Sequence, residues 1–262
     1  MDKNEWISRF DDLICSPSIR EFYGEREFFN VGYWLSHTQD QQEASCTLME
    51  KLLEFIPNKQ GTILDVGCGL GATTHYLLKY YPLTAIVGIN ISPTQIARSL
   101  LNFPEGKFLL MDAVEMDFAD HSFEQIICVE AAFYFNTRRQ FFQEAWRVLK
   151  PGGTLILSDL SFATTELLGD WTVPQANTVK DRAEYQNLYQ QAGFKDVQFV
   201  EVTEECWFRH FRHLKSWLTE DLQSGKLDEE TYNLNIKPLD NLLSSSAITY
   251  WLVAAQKPVN ML

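Results

Sequence analysis

The 262-residue chain is long enough for one large α/β domain or two small ones, and 45% hydrophobic residues supply material for a sizeable core. Its 22 Lys and Arg against 35 Asp and Glu give a formal charge of −13 with no basic cluster, which argues against nucleic acid as a partner. Five scattered cysteines, without a Cys-x-x-Cys pair, offer neither a disulfide framework nor a metal site and fit a reducing cytoplasm.

Met1 to Trp6 has neither a basic nor an apolar leader, and no later run approaches about 18 uninterrupted apolar residues, so neither export nor a membrane span is expected. Residues 1–60 read as a helical extension, amphipathic over about 3–14 and 41–56, and closed by Pro57-Asn58-Lys59-Gln60-Gly61. From Thr62 short apolar runs alternate with helical stretches. Strands are expected at 62–66, 84–89, 107–111, 125–129 and 154–158, and helices at about 71–81, after Pro93, and at about 137–149. This βαβ rhythm implies a parallel sheet. Residues 161–180 are polar and aperiodic, which suits a loop or partial cap; a helix at about 181–192 closed by Gly193 follows. Val197–Val202 and Ile248–Ala255 supply two last strands, with an antiparallel edge. The expected division is an N-terminal helical lid over 1–60 and one domain over 61–262, with cap insertions near 161–180 and 203–245.

The turn Leu64-Asp65-Val66-Gly67-Cys68-Gly69-Leu70-Gly71 follows the first strand. Backbone N–H groups and a helix start can meet a ligand's polar atoms there, and missing Cβ atoms allow close approach. Gly67, Gly69 and Gly71 alone would also suit a dinucleotide. Asp65 narrows the choice: a carboxylate aimed into the turn repels a pyrophosphate but can hold the ammonium of an amino-acid ligand, directly or through water. Its structural alternative is a strand-end acid bonding to backbone.

Asn90, flanked by Ile91 and followed by Gln95, stands where ribose hydroxyls are met, although Ser92-Pro93 makes a turn or N-cap role a rival reading. Asp112-Ala113, at the next strand end, can accept from an adenine amino group; a plain acidic loop residue is the alternative.

Together these residues resemble the class I S-adenosylmethionine-dependent methyltransferases, from about Ile63 to Leu160. The pieces that carry the likeness are Ile63 to Gly71, Val87-Gly88-Ile89-Asn90-Ile91-Ser92, Asp112-Ala113 with Asp120-His121-Ser122-Phe123-Glu124, and Ala145-Trp146-Arg147-Val148-Leu149-Lys150-Pro151-Gly152-Gly153. The resemblance implies a Rossmann-like, seven-stranded, mostly parallel sheet with helices on both faces, a helical extension and a partial cap. It also implies S-adenosylmethionine as cofactor, with the first piece on its methionyl end, the second on the ribose and the third on the adenine. Asn90 departs from the Asp or Glu of many relatives, which weakens the hydroxyl contact.

Asn30-Val31-Gly32-Tyr33-Trp34 and Glu130-Ala131-Ala132-Phe133-Tyr134-Phe135-Asn136-Thr137-Arg138 resemble small-molecule tailoring enzymes, including O-methyltransferases of polyketide and peptide natural products and related sterol and amine methyltransferases. In such enzymes a His often stands at Tyr134, and a phenol is a poorer base near neutrality. Candidate catalytic residues are therefore Tyr134, Glu130 and His213, with His210 and His37 as further histidines. Tyr23, Tyr33 and Trp34 are candidates for a lid over the sulfonium, Tyr33 and Glu130 being counted among the cofactor contacts. Trp171 and Trp207 line an acceptor pocket or else belong to the core. No ligand cluster suggests a metal. Transfer to a hydroxyl of a small molecule is the expected reaction; transfer to an amine or activated carbon, a fold that has lost turnover, and an NAD-linked enzyme are the alternatives.

Overall fold

The computed structural model describes residues 3–165, 173–245 and 247–259. Three helices open the chain, α1 (Lys3–Ile14), α2 (Pro17–Tyr23) and α3 (Gln41–Leu53). Ser16 and Asp40 cap α2 and α3 by accepting from Ile19 N–H and Glu43 N–H.

The sheet has seven strands: β1 (Ile63–Val66), β2 (Ile86–Asn90), β3 (Phe108–Leu110), β4 (Phe123–Val129), β5 (Leu149–Phe162), β6 (Lys195–Glu201) and β7 (Ile248–Gln256). Their order is β3-β2-β1-β4-β5-β7-β6, parallel except for β7, which runs antiparallel to both β5 and β6. The order reverses between β1 and β4, so a crevice opens beyond the carboxyl ends of those strands.

Alternation along the strands sorts side chains into two cores. Ile63, Ile86, Ile127 and Ile156 face one side and pack with Leu48, Met49, Leu52 and Leu53 of α3. Leu64, Val87, Cys128 and Leu157 face the other and pack with α6 (Arg138–Val148) and α7 (Arg182–Ala192) through Phe141, Phe142, Tyr185 and Tyr189. Full burial of Phe141 and Phe142 contributes roughly 1.5–3 kcal/mol each.

The boundaries differ from the sequence reading where glycine and proline act locally. The helix expected over 71–81 is α4 (Ala72–Tyr76), N-capped by Gly71 and tightened into a 3-10 turn at Leu77–Lys79. After Pro82 the chain makes another such turn at Leu83–Ala85, so β2 begins at Ile86. The fifth α-helix is α5 (Pro93–Asn102), capped by Ser92. β5 extends well past the expected 154–158, because β7 pairs with it from Thr154 to Phe162. The segment 203–245 forms a short π-type turn, Glu204–Phe208, then α8 (Arg209–Gln223) and α9 (Glu229–Ser244). Lys215 and Asp240 join these two helices at 2.5 Å. Among the described residues no helix is long and apolar enough to cross a membrane.

Candidate active site

The glycine turn works by close approach more than by donated N–H groups. Gly67 N–H and Cys68 N–H both donate to Ile89 O, at 2.9 and 3.0 Å, which ties β1 to β2 and spends them. Gly67 has a φ of 76°, and a Cβ there would lie 2.6 Å from Ala131 Cβ. Gly69 has a φ of 54°, and nothing lies within 4 Å of where its Cβ would be. Backbone at Gly69 therefore lies open to the cavity. The helix after Gly71 is only five residues long, so the expected contribution of a helix start is small.

Asp65 is fully buried behind this turn. Its Oδ2 accepts from Thr73 Oγ1 at 2.5 Å and Thr74 Oγ1 at 2.6 Å, while Oδ1 has no hydrogen-bond donor. Burial, partly offset by the two threonines, pushes its carboxyl up to about 6. Asp65 does not itself form the cavity wall; Thr73 does. A buried carboxylate oxygen with no donor among the described residues, two positions before the first glycine of the turn, fits the charge of an incoming ammonium. The residues present thus fit the methionyl end of S-adenosylmethionine.

A cavity of about 480 Å³ runs along the ends of β1 to β4. Asn90, Ile91, Gln95, Asp112 and Ala113 line it. Asn90 Oδ1 accepts from Ser92 N–H at 2.9 Å and its Nδ2 donates to Gln95 Oε1 at 2.9 Å, so Asn90 also makes the turn that the sequence offered as its rival role. Asp112 Oδ1 accepts from Val114 N–H at 3.1 Å.

The other end of the cavity is aromatic. Trp6 and Phe10 of α1 stack at 5.2 Å, and each meets Tyr134, at 5.0 and 5.8 Å. Phe29 meets Phe10 edge-on at 5.5 Å. Glu130, just past β4 with a φ of 50°, lines the same cavity. Val31 N–H donates to both its oxygens and the Tyr250 hydroxyl to Oε1. Burial pushes this carboxyl up to about 7, against the hydrogen bonds from Tyr250 and Val31. Burial and then the Glu130 carboxylate push the Tyr134 phenol up, away from use as a base.

Several expected residues lie elsewhere. Tyr33 packs against the first core with Lys51 over its ring at 5.9 Å, and it does not line the cavity. Trp34 is buried against His213, ring centroids 4.4 Å apart, and neither reaches the cavity. His210 is buried with Nδ1 2.8 Å from Gln41 Oε1, and burial drives its imidazole down to about 3. His37 is exposed outside the cavity, Tyr23 is buried against Phe22 and Phe29, and Trp207 is core. Trp171 lies outside the described residues. For His210 and His213 the reason is shared: α8 packs over the N-terminal segment, on which Phe22 meets both rings.

Conversely, the sequence reading gave no role to Trp6, Phe10, Asp11 or Glu27. Glu27 is buried, lines the cavity and bonds Arg98 Nε at 2.9 Å. The four-residue spacing of Trp6 and Phe10 was visible, but an apolar helix face ordinarily means core.

A methyltransferase-domain family model matches residues 64–157. The chain is 31% identical to methyltransferase GfsG of Streptomyces halstedii over 67% of this chain and 69% of that protein. It is 27% identical to erythromycin 3''-O-methyltransferase of Saccharopolyspora erythraea over 82% of this chain and 74% of the relative. Its fold is similar to that of the cyclopropane synthase MmaA2 from Mycobacterium tuberculosis, with a TM-score of 0.79 at 19% identity, over 98% of this chain and 99% of the other.

Proposed function

The chain belongs to the S-adenosylmethionine-dependent methyltransferase family, and from that premise we propose that it methylates a hydroxyl on an uncharged, largely apolar small molecule of natural-product type. The observation that carries this reading is Glu130, a half-buried carboxylate that lines the same cavity as Trp6, Phe10, Phe29 and Tyr134. S-adenosylmethionine, when bound, supplies an electrophilic methyl group on sulfur. Asp65, set behind Thr73, would draw its ammonium by charge; Gly69 would admit its amino-acid backbone; Asn90, Ile91 and Gln95 would border the ribose, and Asp112 and Ala113 the adenine. Glu130 takes the acceptor's hydroxyl proton, and the aromatic rings exclude water and hold the acceptor in line. Tyr134 shapes the pocket.

The carboxylates of Asp112 and Glu130 line the cavity, the third, Glu27, being paired with Arg20 and Arg98, and no Lys, Arg or His is found among its described lining residues. Phosphorylated or carboxylated acceptors are therefore disfavoured. The erythromycin relative, by its name, methylates an oxygen of a natural product, which supports the same choice. Free thiols at Cys15, Cys46, Cys68, Cys128 and Cys206 suit a reducing cytoplasm. The test is incubation with methyl-labelled donor and a panel of neutral polyketide and macrolide alcohols, with matched amines. Labelled methyl ethers support the reading; label found only in N-methyl or C-methyl products overturns it.

A further inference from the structure

Glu130 is held from two distant parts of the chain. Among the described residues, Oε1 receives Val31 N–H at 2.9 Å and the Tyr250 hydroxyl at 2.6 Å, and Oε2 receives only the Val31 N–H, at 3.1 Å. Oε2 is thus the oxygen with acceptor capacity to spare.

Tyr250 is fully buried in β7, opposite Leu160 of β5. Its N–H donates to Thr203 Oγ1 at 3.1 Å, and its carbonyl accepts from Val202 N–H at 3.0 Å. It does not line the cavity. A rigid strand therefore presents one phenol to the one carboxylate that stands beside Tyr134.

We propose that Tyr250 is a positioning residue for methyl transfer, fixing Glu130 Oε1 so that Oε2 remains to receive the acceptor's proton. This rests on the reading of Glu130 as the base. In this arrangement the phenol also favours the ionised carboxylate, opposing its burial. The other titratable groups near Glu130 are the phenols of Tyr23 and Tyr134, the Cys206 thiol and the Asp159 carboxylate. None of these others makes a hydrogen bond to Glu130, so the phenol of Tyr250 is the side-chain donor whose loss Glu130 should feel most.

The test needs no acceptor. Infrared titration of protein labelled with 13C-glutamate follows the protonated carboxyl band, with Glu130→Gln identifying the Glu130 component. Tyr250→Phe should raise the midpoint by about one pH unit, and Tyr23→Phe should leave it in place. Replacing tyrosine globally with 3-fluorotyrosine, a more acidic phenol that removes no atom from the core, should lower the midpoint. Calorimetry with S-adenosylmethionine checks that Tyr250→Phe is folded. If that variant does not fold, the fluorotyrosine arm decides alone. A Glu130 midpoint unmoved by either change overturns the role of Tyr250. A Glu130 band that titrates in the ordinary carboxylate range overturns the buried-base reading beneath it, a separable result.

Discussion

The carboxylate of Asp11 in α1 accepts the Ser92 hydroxyl at 2.8 Å on each oxygen, across 81 positions of sequence. Gln95 Nε2 adds a bond at 2.7 Å, and Ser92 is also the N-cap of α5. One buried acid thus fastens the first helix, with its Trp6 and Phe10, to the strand end that carries Asn90. Hydrogen bonds to a charged group contribute roughly 1.5–3 kcal/mol each. Asp11→Ala should therefore weaken S-adenosylmethionine binding about tenfold or more and expose the amides of α1 and α2 to exchange. Calorimetry and hydrogen exchange check this, and unchanged values in both would separate α1 from the donor site.

Asp65 predicts a conflict between stability and function. Its carboxyl lies at about 6 in the folded chain against 3.8 in the ordinary case, so folding favours the protonated form. The associated stability is complete below the unfolded value and is lost as pH rises through about 6, a difference on the order of 3 kcal/mol. Asp65→Asn should accordingly gain stability relative to the wild type between pH 4 and pH 7.5, while losing affinity for the donor. Denaturant melts at the two pH values measure the difference; a flat difference contradicts the burial argument.

Loss of the base should be visible in turnover more than in binding. Glu130→Gln is expected to lower kcat by roughly 10²–10⁴-fold with donor affinity little changed. In the wild type kcat/KM should rise through about pH 7 as Glu130 loses its proton. Tyr134→Phe should retain most of the activity, since its phenol is pushed away from the range of a base. Steady-state rates across pH check all three.

Charge should set the acceptor class. With Asp112 and Glu130 on the cavity wall and no cationic side chain among its described lining residues, an alcohol and its analogue bearing a phosphate elsewhere on the molecule should differ in kcat/KM by roughly tenfold or more. Equal turnover of such a pair would count against an uncharged acceptor.

The fold was legible because its signals are local. Short continuous apolar runs marked Ile63–Val66, Ile86–Asn90 and Ile248–Gln256 within a few residues, and Ser92-Pro93 and Gly193 marked helix ends. That Gly67, Gly69 and Asn90 come to one cavity wall was legible for the same reason, since they sit at fixed offsets from strand ends. The acceptor side was not. Val31 reaches Glu130 through its backbone N–H, which no residue type announces, and Tyr250 reaches it from 120 positions away. His213 had the right chemistry for a base, but α8 turns it against Trp34. Tertiary packing assigns these roles, and a single sequence does not record it.

The most direct test of the account is product analysis with 13C-methyl S-adenosylmethionine, a neutral polyketide alcohol panel and paired wild-type and Glu130→Gln protein. The account predicts a labelled methyl ether made by the wild type and a loss of at least a hundredfold in the variant. A labelled N-methyl or C-methyl product, or undiminished ether formation by Glu130→Gln, would contradict it.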